Sequence, residues 1–222
     1  MSVADSLMDA LKAYTEPVET YFGLYAGVVT SNDDDEKKGR VKVRLPWIDP
    51  DFETEWAPVS QIYAGSDYGA YWIPEQGDQV VVAFLRGELR KPIVVSSIYS
   101  RDRTPYMARG DGSKPKLFRT MAGHMLLMED GEGPKIQLVD KTGKNEVVID
   151  SGSNTVTVRA DADVVVEAKK NVKVTASQSV EVEASQSVSI SAKTDLSLKA
   201  TGSISIEAQG ALTLSGASIA LN

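Results

Sequence analysis

The sequence predicts an all-β protein built in two styles: a small barrel near the N-terminus, preceded by a short helix, and a C-terminal rod of three intertwined chains. Short alternating strands crowd residues 21–100, and from Val156 onward aliphatic pairs recur every eight residues. Bulky side chains are unevenly spread. The three Trp, eight Tyr and four Phe all lie at or before Phe118, and the nine Pro at or before Pro134. Aromatic residues dominate ordinary cores, so a single globular core spread over all 222 residues is excluded.

Residues 1–20 carry Leu7, Met8, Leu11 and Tyr14 at helical spacing and a stop at Pro17, which predicts a short amphipathic docking helix. This stretch has no charged region leading into an apolar one, so no secretory signal is expected. Residues 21–100 turn to strand pattern. The run 21–30 is aromatic and β-branched, and a polar loop, 31–39, follows. Arg40-Val-Lys-Val-Arg-Leu45 then alternates strictly, placing Val41, Val43 and Leu45 on one face and Arg40, Lys42 and Arg44 on the other. Further strands are expected over 55–60, 79–85 and 92–99. Such short strands separated by Gly- and Pro-containing turns suggest a closed or nearly closed barrel. Residues 101–155 read as connector and neck, with a polar stretch, 101–117, and a meander of strands over 123–128, 135–140 and 146–150.

Residues 156–222 carry the repeat. The aliphatic pairs are Val156/Val158, Val164/Val166, Val172/Val174, Val180/Val182, Val188/Ile190, Leu196/Leu198, Ile204/Ile206 and Leu212/Leu214. Two residues after each pair stands a small one: Ala160, Ala168, Ala176, Ala184, Ala192, Ala200, Ala208 and Gly216. Each Val-x-Val-x-Ala triple points three side chains to one side of a strand. The three residues between triples, such as Ser185-Gln-Ser187, turn the chain toward the next strand. Period eight and β-branched residues exclude a coiled coil. A single chain coiling three octads per turn would make a stub of about 12 Å with few stacked neighbours. Three intertwined copies advance about one strand spacing per octad and make a shaft of roughly 38 Å with no long exposed edge. The homotrimer is the expected solution, with the aliphatic pairs as its core.

Several motifs together resemble the barrel domain of VgrG proteins and phage baseplate assembly protein V. They are Gly39-Arg-Val-Lys-Val-Arg-Leu-Pro-Trp47, Trp56-Ala-Pro-Val-Ser60, Ala64-Gly-Ser-Asp-Tyr-Gly69, Pro74-Glu-Gln-Gly-Asp-Gln-Val-Val-Val-Ala-Phe84, Gly87 and Lys91-Pro-Ile-Val-Val-Ser-Ser-Ile-Tyr99. Arg119-Thr-Met-Ala-Gly-His-Met-Leu-Leu-Met-Glu-Asp130 and Asp140-Lys-Thr-Gly143 resemble the neck of that family. The resemblance implies an oligosaccharide/oligonucleotide-binding (OB) barrel followed by a triple-stranded β-helix. By that resemblance they would together form the central spike of a contractile tail or injection machine, assembled in the cytoplasm and aimed at a target cell envelope. VgrG proteins carry a large N-terminal hub region, and only some 20 residues precede the barrel here, so a separate baseplate hub protein is expected as partner. Residues 101–155 are too few for the lysozyme-like domain of some phage spikes. The one His, His124, is far from the C-terminus and excludes a His-x-His iron tip. The chain ends apolar, and an exposed apolar triangle would need a cover. By resemblance the cover is a PAAR-type tip protein on Ser218, Ile219, Ala220, Leu221 and Asn222.

Sharper chemistry finds little support in the sequence, and no catalytic, cofactor-binding or metal residues are expected. Zero Cys removes thiol catalysis and Cys-based zinc sites. The acidic run Asp33-Asp-Asp-Glu36 lacks the spacing of a calcium loop and reads as a solvated hairpin tip. Lys37, Lys38, Arg40, Lys42 and Arg44 could serve nucleic acid on an OB barrel, and an OB module binding nucleic acid or glycan on a repetitive trimeric stalk is the alternative reading. Against nucleic acid stand acidic neighbours and a net charge of −7. His124 has no nucleophile partner implied by spacing. Glu181 and Glu183 lie on the outer face of a repeat, without a pocket for glycosidase chemistry.

Overall fold

In the computed structural model, which describes residues 20–110 and 112–220, the alternation around Val41 becomes one wall of a barrel. The docking helix expected in residues 1–20 lies outside the described residues, save Thr20. The chain divides into two compact units, Met1–Val164 and Val165–Asn222.

The first unit opens with β1 (Tyr25–Ser31), β2 (Arg40–Arg44), β3 (Ala57–Pro58), the small hairpin β4 (Ala64–Gly65) and β5 (Tyr68–Gly69), then β6 (Gln79–Phe84) and β7 (Pro92–Ser97). Five of these form an antiparallel sheet in the order β3-β2-β1-β6-β7. Its two edges meet through a parallel bridge between Val59 and Val94, where the Ser60 N–H donates to the Val94 carbonyl at 2.8 Å. That bridge closes the barrel and removes the edges that would template aggregation. Register shifts between Val29 and Ser31 and between Val81 and Val82 supply the curvature closure requires.

Val41, Val43 and Leu45 are fully buried, packed with Val29, Ala57, Val80, Val82, Phe84 and Val94. Gly27 lets β1 approach this wall: a Cβ there would lie 2.4 Å from Val43 Cγ1 and 2.7 Å from Leu45 Cδ2. Buried Thr54 continues the sheet with its side chain, accepting the Val43 N–H on its hydroxyl at 3.1 Å while its own N–H donates to the Val43 carbonyl at 2.9 Å.

A second antiparallel sheet follows: β8 (Pro115–Arg119), β9 (Met125–Glu129), β10 (Lys135–Val139), β11 (Glu146–Asp150) and β12 (Thr155–Arg159), ordered β12-β11-β10-β9-β8. Three of its strands match the expected meander. The other two extend it: β8 begins in the last three residues of the stretch read as polar connector and runs beyond it, and β12 holds the first octad pair, Val156 and Val158. Turn chemistry fixes the corners. Asp140 accepts hydrogen bonds from the Thr142 hydroxyl and from the backbone and side-chain nitrogens of Asn145, which lower its pKa to about 2. Glu129 ties the connector down, accepting from Ser113 Oγ and from the Lys114 and Gly131 N–H groups at 2.6–2.8 Å.

In the second unit the backbone itself has period eight. Bends fall at 169–170, 177–178, 185–186, 193–194, 201–202 and 209–210, with extended runs between them. These are the positions expected to turn the chain between triples. Among the described residues 165–220 there is no strand, every residue is exposed, and no backbone N–H to C=O bond forms within the chain.

Candidate functional site

The features that distinguish this molecule are surfaces, and the largest are apolar. The sequence reading assigns the sixteen paired octad side chains to a core, whereas the single chain leaves all of them in solvent. The second members of the pairs, Val158, Val166, Val174, Val182, Ile190, Leu198, Ile206 and Leu214, are 60–73% exposed. The first members Val164, Val172, Val180, Val188, Leu196, Ile204 and Leu212 are 54–60% exposed, and Val156 is 69% exposed. The physical reason is geometric: an extended run has no wall of its own opposite its apolar face.

The repeat therefore combines aliphatic side chains in water with backbone groups that find no partner within the chain, and both deficits are costly. Of the C-terminal residues, Ser218, Ile219 and Ala220 are exposed, and Leu221 and Asn222 lie outside the described residues.

The second sheet carries an apolar face as well. Its register aligns Leu126 with Leu138 and Phe118, Leu138 with Val147, Val147 with Val158, and Ile136 with Met128 and Ile149. Directly paired residues share a face. All but Met128 of these are more than a third exposed, whereas the opposite face holds Leu127, Glu129, Gln137 and Val148, which are buried or half-buried. The exposed face is thus the more apolar one, the reverse of a sheet packed within its own chain.

The residues read for sharper chemistry are engaged structurally. Asp34 is buried and accepts the N–H groups of Glu36, Lys38 and Arg40 at 3.0–3.4 Å. The Arg40 guanidinium also grips it, from Nε at 2.9 Å and Nη2 at 2.7 Å. This guanidinium, then the three backbone donors, hold the Asp34 carboxyl well below the usual carboxylate range against the opposing effect of desolvation. The acidic loop is therefore organised around one buried carboxylate and is not wholly solvated. Three members of the basic row are paired in place: Arg40 with Asp34 and Glu36, Lys38 with Glu36, and Lys42 with Glu53. Arg40 and Lys42 also lie 5.9 and 5.5 Å from the Trp56 ring centre. His124 links two turns, donating its backbone N–H to Thr120 Oγ1 at 3.1 Å and accepting the Lys141 backbone N–H on Nδ1 at 3.3 Å. Glu181 and Glu183 are exposed. Among the described residues no cluster of His, Cys, Asp or Glu is placed to hold a metal ion.

A closed five-stranded barrel of this kind is the architecture of an OB fold. Residues 25–99, from the start of β1 to just beyond β7, match the family model described as the type VI secretion system/phage-baseplate injector OB domain. The type VI secretion system spike protein VgrG1b of Pseudomonas aeruginosa is 30% identical over 164 residues, 66% of this chain and 21% of that one. VgrG3 of Vibrio cholerae is 31% identical over 116 residues, 50% of this chain and 11% of that one. VgrG2a of Pseudomonas aeruginosa reaches 41% over 73 residues, 31% of this chain and 9% of that one. The chain spans about a fifth or less of the length of the curated relatives it matches. Over its barrel the chain is similar to the VgrG-type baseplate spike proteins.

Proposed function

We propose that this chain is the structural spike subunit of a contractile injection machine. It works as a homotrimer that docks on a baseplate hub protein and is driven into a target cell envelope. The observation that carries this reading is the octad segment. Among its described residues 165–220 the aliphatic pairs stand in water and no backbone hydrogen bond forms within the chain. Three interleaved copies would pair the backbone and turn the aliphatic pairs into a shared core, giving stiffness without bond-making chemistry. Residues 1–20 and the barrel, 21–100, would face the hub, 101–155 would form the neck, and 156–222 the shaft. The end at Ser218, Ile219, Ala220, Leu221 and Asn222 would be capped by a PAAR-type tip protein. Assembly would take place in the cytoplasm before the trimer joins a phage tail or injection particle, and no enzymatic step belongs to this chain. The internal pairing of Arg40 and Lys42 speaks against the reading as a nucleic-acid module.

Sedimentation of the full chain at micromolar concentration tests the reading. Three copies of a 23.9 kDa chain give a species of about 72 kDa. A monomer under those conditions would overturn it.

A further inference from the structure

We infer that the connector between β7 and β8 is a fastened strap that completes a clamp on edge strand β8. The barrel holds one face of that strand and the strap holds the other, which fixes the direction of the second sheet relative to the barrel. All of these contacts lie within one chain and do not depend on how many copies assemble.

By composition the connector should be a free linker. Residues 101–114 are rich in charged side chains, Gly and Pro, and nearly all that are described are exposed. Both ends are nevertheless tied. At the barrel end Arg103 donates from Nη1 to Asp78 Oδ1 at 3.1 Å, while Asp78 Oδ2 accepts the Glu75 N–H at 2.9 Å. Gly77, at a φ of 87°, makes room for this pair: a Cβ there would lie 2.5 Å from Arg103 Nη2. At the far end the Glu132 N–H donates to the Gly112 carbonyl at 2.8 Å, beside the contacts of Glu129 with Ser113 and Lys114. A Cβ on Gly131 would lie 1.8 Å from that carbonyl oxygen, so only glycine admits the approach.

The clamp itself lies at Phe118 and Arg119. Neighbouring residues of a strand point to opposite faces. On one face the Phe118 ring stacks on Trp72 of the barrel loops, with centres 5.3 Å apart and planes 20° apart. On the other, the Arg119 guanidinium sits 4.1 Å from the centre of the Tyr106 ring, which belongs to the strap. Tilting the sheet toward either face would pull it off one ring and drive it into the other. Trp72 and Tyr106 are 51% and 60% exposed and lie outside the barrel core, so what they hold is the joint. The use of the clamp rests on the spike reading: force applied along the barrel would pass into the second sheet with no hinge between them.

The sequence has no cysteine, so one pair of spin labels can be placed by Ser66→Cys in the β4–β5 hairpin and Ser153→Cys in the β11–β12 turn, both exposed. Doubly labelled full chain is assembled with excess unlabelled chain, so that each particle holds at most one labelled pair. Pulsed electron resonance then reads the distance distribution. The parent is expected to give one narrow distribution. Trp72→Ala combined with Tyr106→Ala opens both faces of the clamp and should widen it at least twofold, and each change alone should widen it less. Arg103→Ala, which frees the barrel end of the strap, gives a second reading. Tyr63→Ala removes an exposed ring that packs on Tyr68 and should leave the width unchanged. Widening in the double variant or in Arg103→Ala, with Tyr63→Ala unchanged, supports the clamp. An unmoved width in both overturns it, as does equal widening by Tyr63→Ala or a parent distribution as wide as the double variant's. The pair is read within one chain, so the result stands whether sedimentation finds a trimer or a monomer.

Discussion

Leu198, in the middle of the octad segment, allows the proposed shaft to be tested by one small substitution. In the lone chain its side chain is 65% exposed. Fully burying a leucine is worth about 1.5–3 kcal/mol, so covering the exposed remainder contributes about 1–2 kcal/mol per chain. Leu→Ala in a packed core costs more, roughly 2–5 kcal/mol, because a cavity remains. Threefold symmetry places one such defect in every chain, and the trimer therefore loses on the order of 6–15 kcal/mol if the three sites act independently. The assay is guanidinium-induced dissociation followed by light scattering, with Leu198→Ala beside Lys199→Ala, its neighbour between two aliphatic positions. Leu198→Ala is expected to dissociate at clearly lower denaturant, and Lys199→Ala to match the parent protein. A Leu198→Ala trimer indistinguishable from the parent, within the 0.5 kcal/mol or so of a surface change, would refute the interlocked core.

Three further outcomes follow from the barrel and the C-terminus. Gly27→Ala drives a methyl group into Val43 and Leu45 and should destabilise the barrel by about 1–3 kcal/mol, read as a lower urea midpoint; an unchanged midpoint would mean β1 can move away. Asp34 has a folded pKa below its unfolded one, so its contribution is fully present above the unfolded value near 4 and is lost as pH falls toward the folded value. The urea midpoint should therefore be flat from about pH 7 to 5 and drop below about pH 4, and Asp34→Asn should lower the neutral plateau and flatten that drop. An acid limb identical in Asp34→Asn would assign it to other carboxylates. Deleting residues 218–222 should abolish binding of a PAAR-type tip protein in a pull-down while the trimer persists, and retained binding would place the tip contact elsewhere.

What could be read from the sequence depends on whether a residue's partner is close in the pattern. Val41, Val43 and Leu45 are legible because period-2 alternation assigns a face without knowledge of what lies opposite. The octad is legible for the same reason, and its bends recur in the backbone at the spacing the small residues announce. β8 escapes because Pro115 and Lys116 resemble connector, and only its pairing with β9 makes it a strand. β12 is hidden in the repeat, since Val156 and Val158 fit an octad and a fifth meander strand equally well. Asp34 reads as one of several loop acids. The element that singles it out is Gly39, whose positive φ of 67° precedes Arg40, the residue that grips Asp34. The reversed polarity of the neck is present in the alternation of Ile136, Leu138, Val147 and Ile149, but alternation alone cannot say whether a face turns toward its own chain or another.

The compositional boundary at Phe118 has a structural correlate. Phe118 sits on edge strand β8, on the apolar face of the second sheet, and its ring stacks on Trp72 of the barrel loops at 5.3 Å. Upstream, each aromatic can find a differently shaped neighbour, as Tyr25 does against Trp47 at 4.2 Å, because a barrel core is asymmetric. Downstream, in the proposed trimer, every inward side chain meets its own two copies around one axis. The space available to it is a third of a narrow channel, identical for each copy, and a flat ring cannot fill such a wedge three times over without clash. Branched aliphatic residues can, and Ala or Gly fits where the backbones turn closest. The loss of aromatics after Phe118 is then the sequence-level trace of a change in packing partner, from unlike neighbours within the chain to identical neighbours between chains.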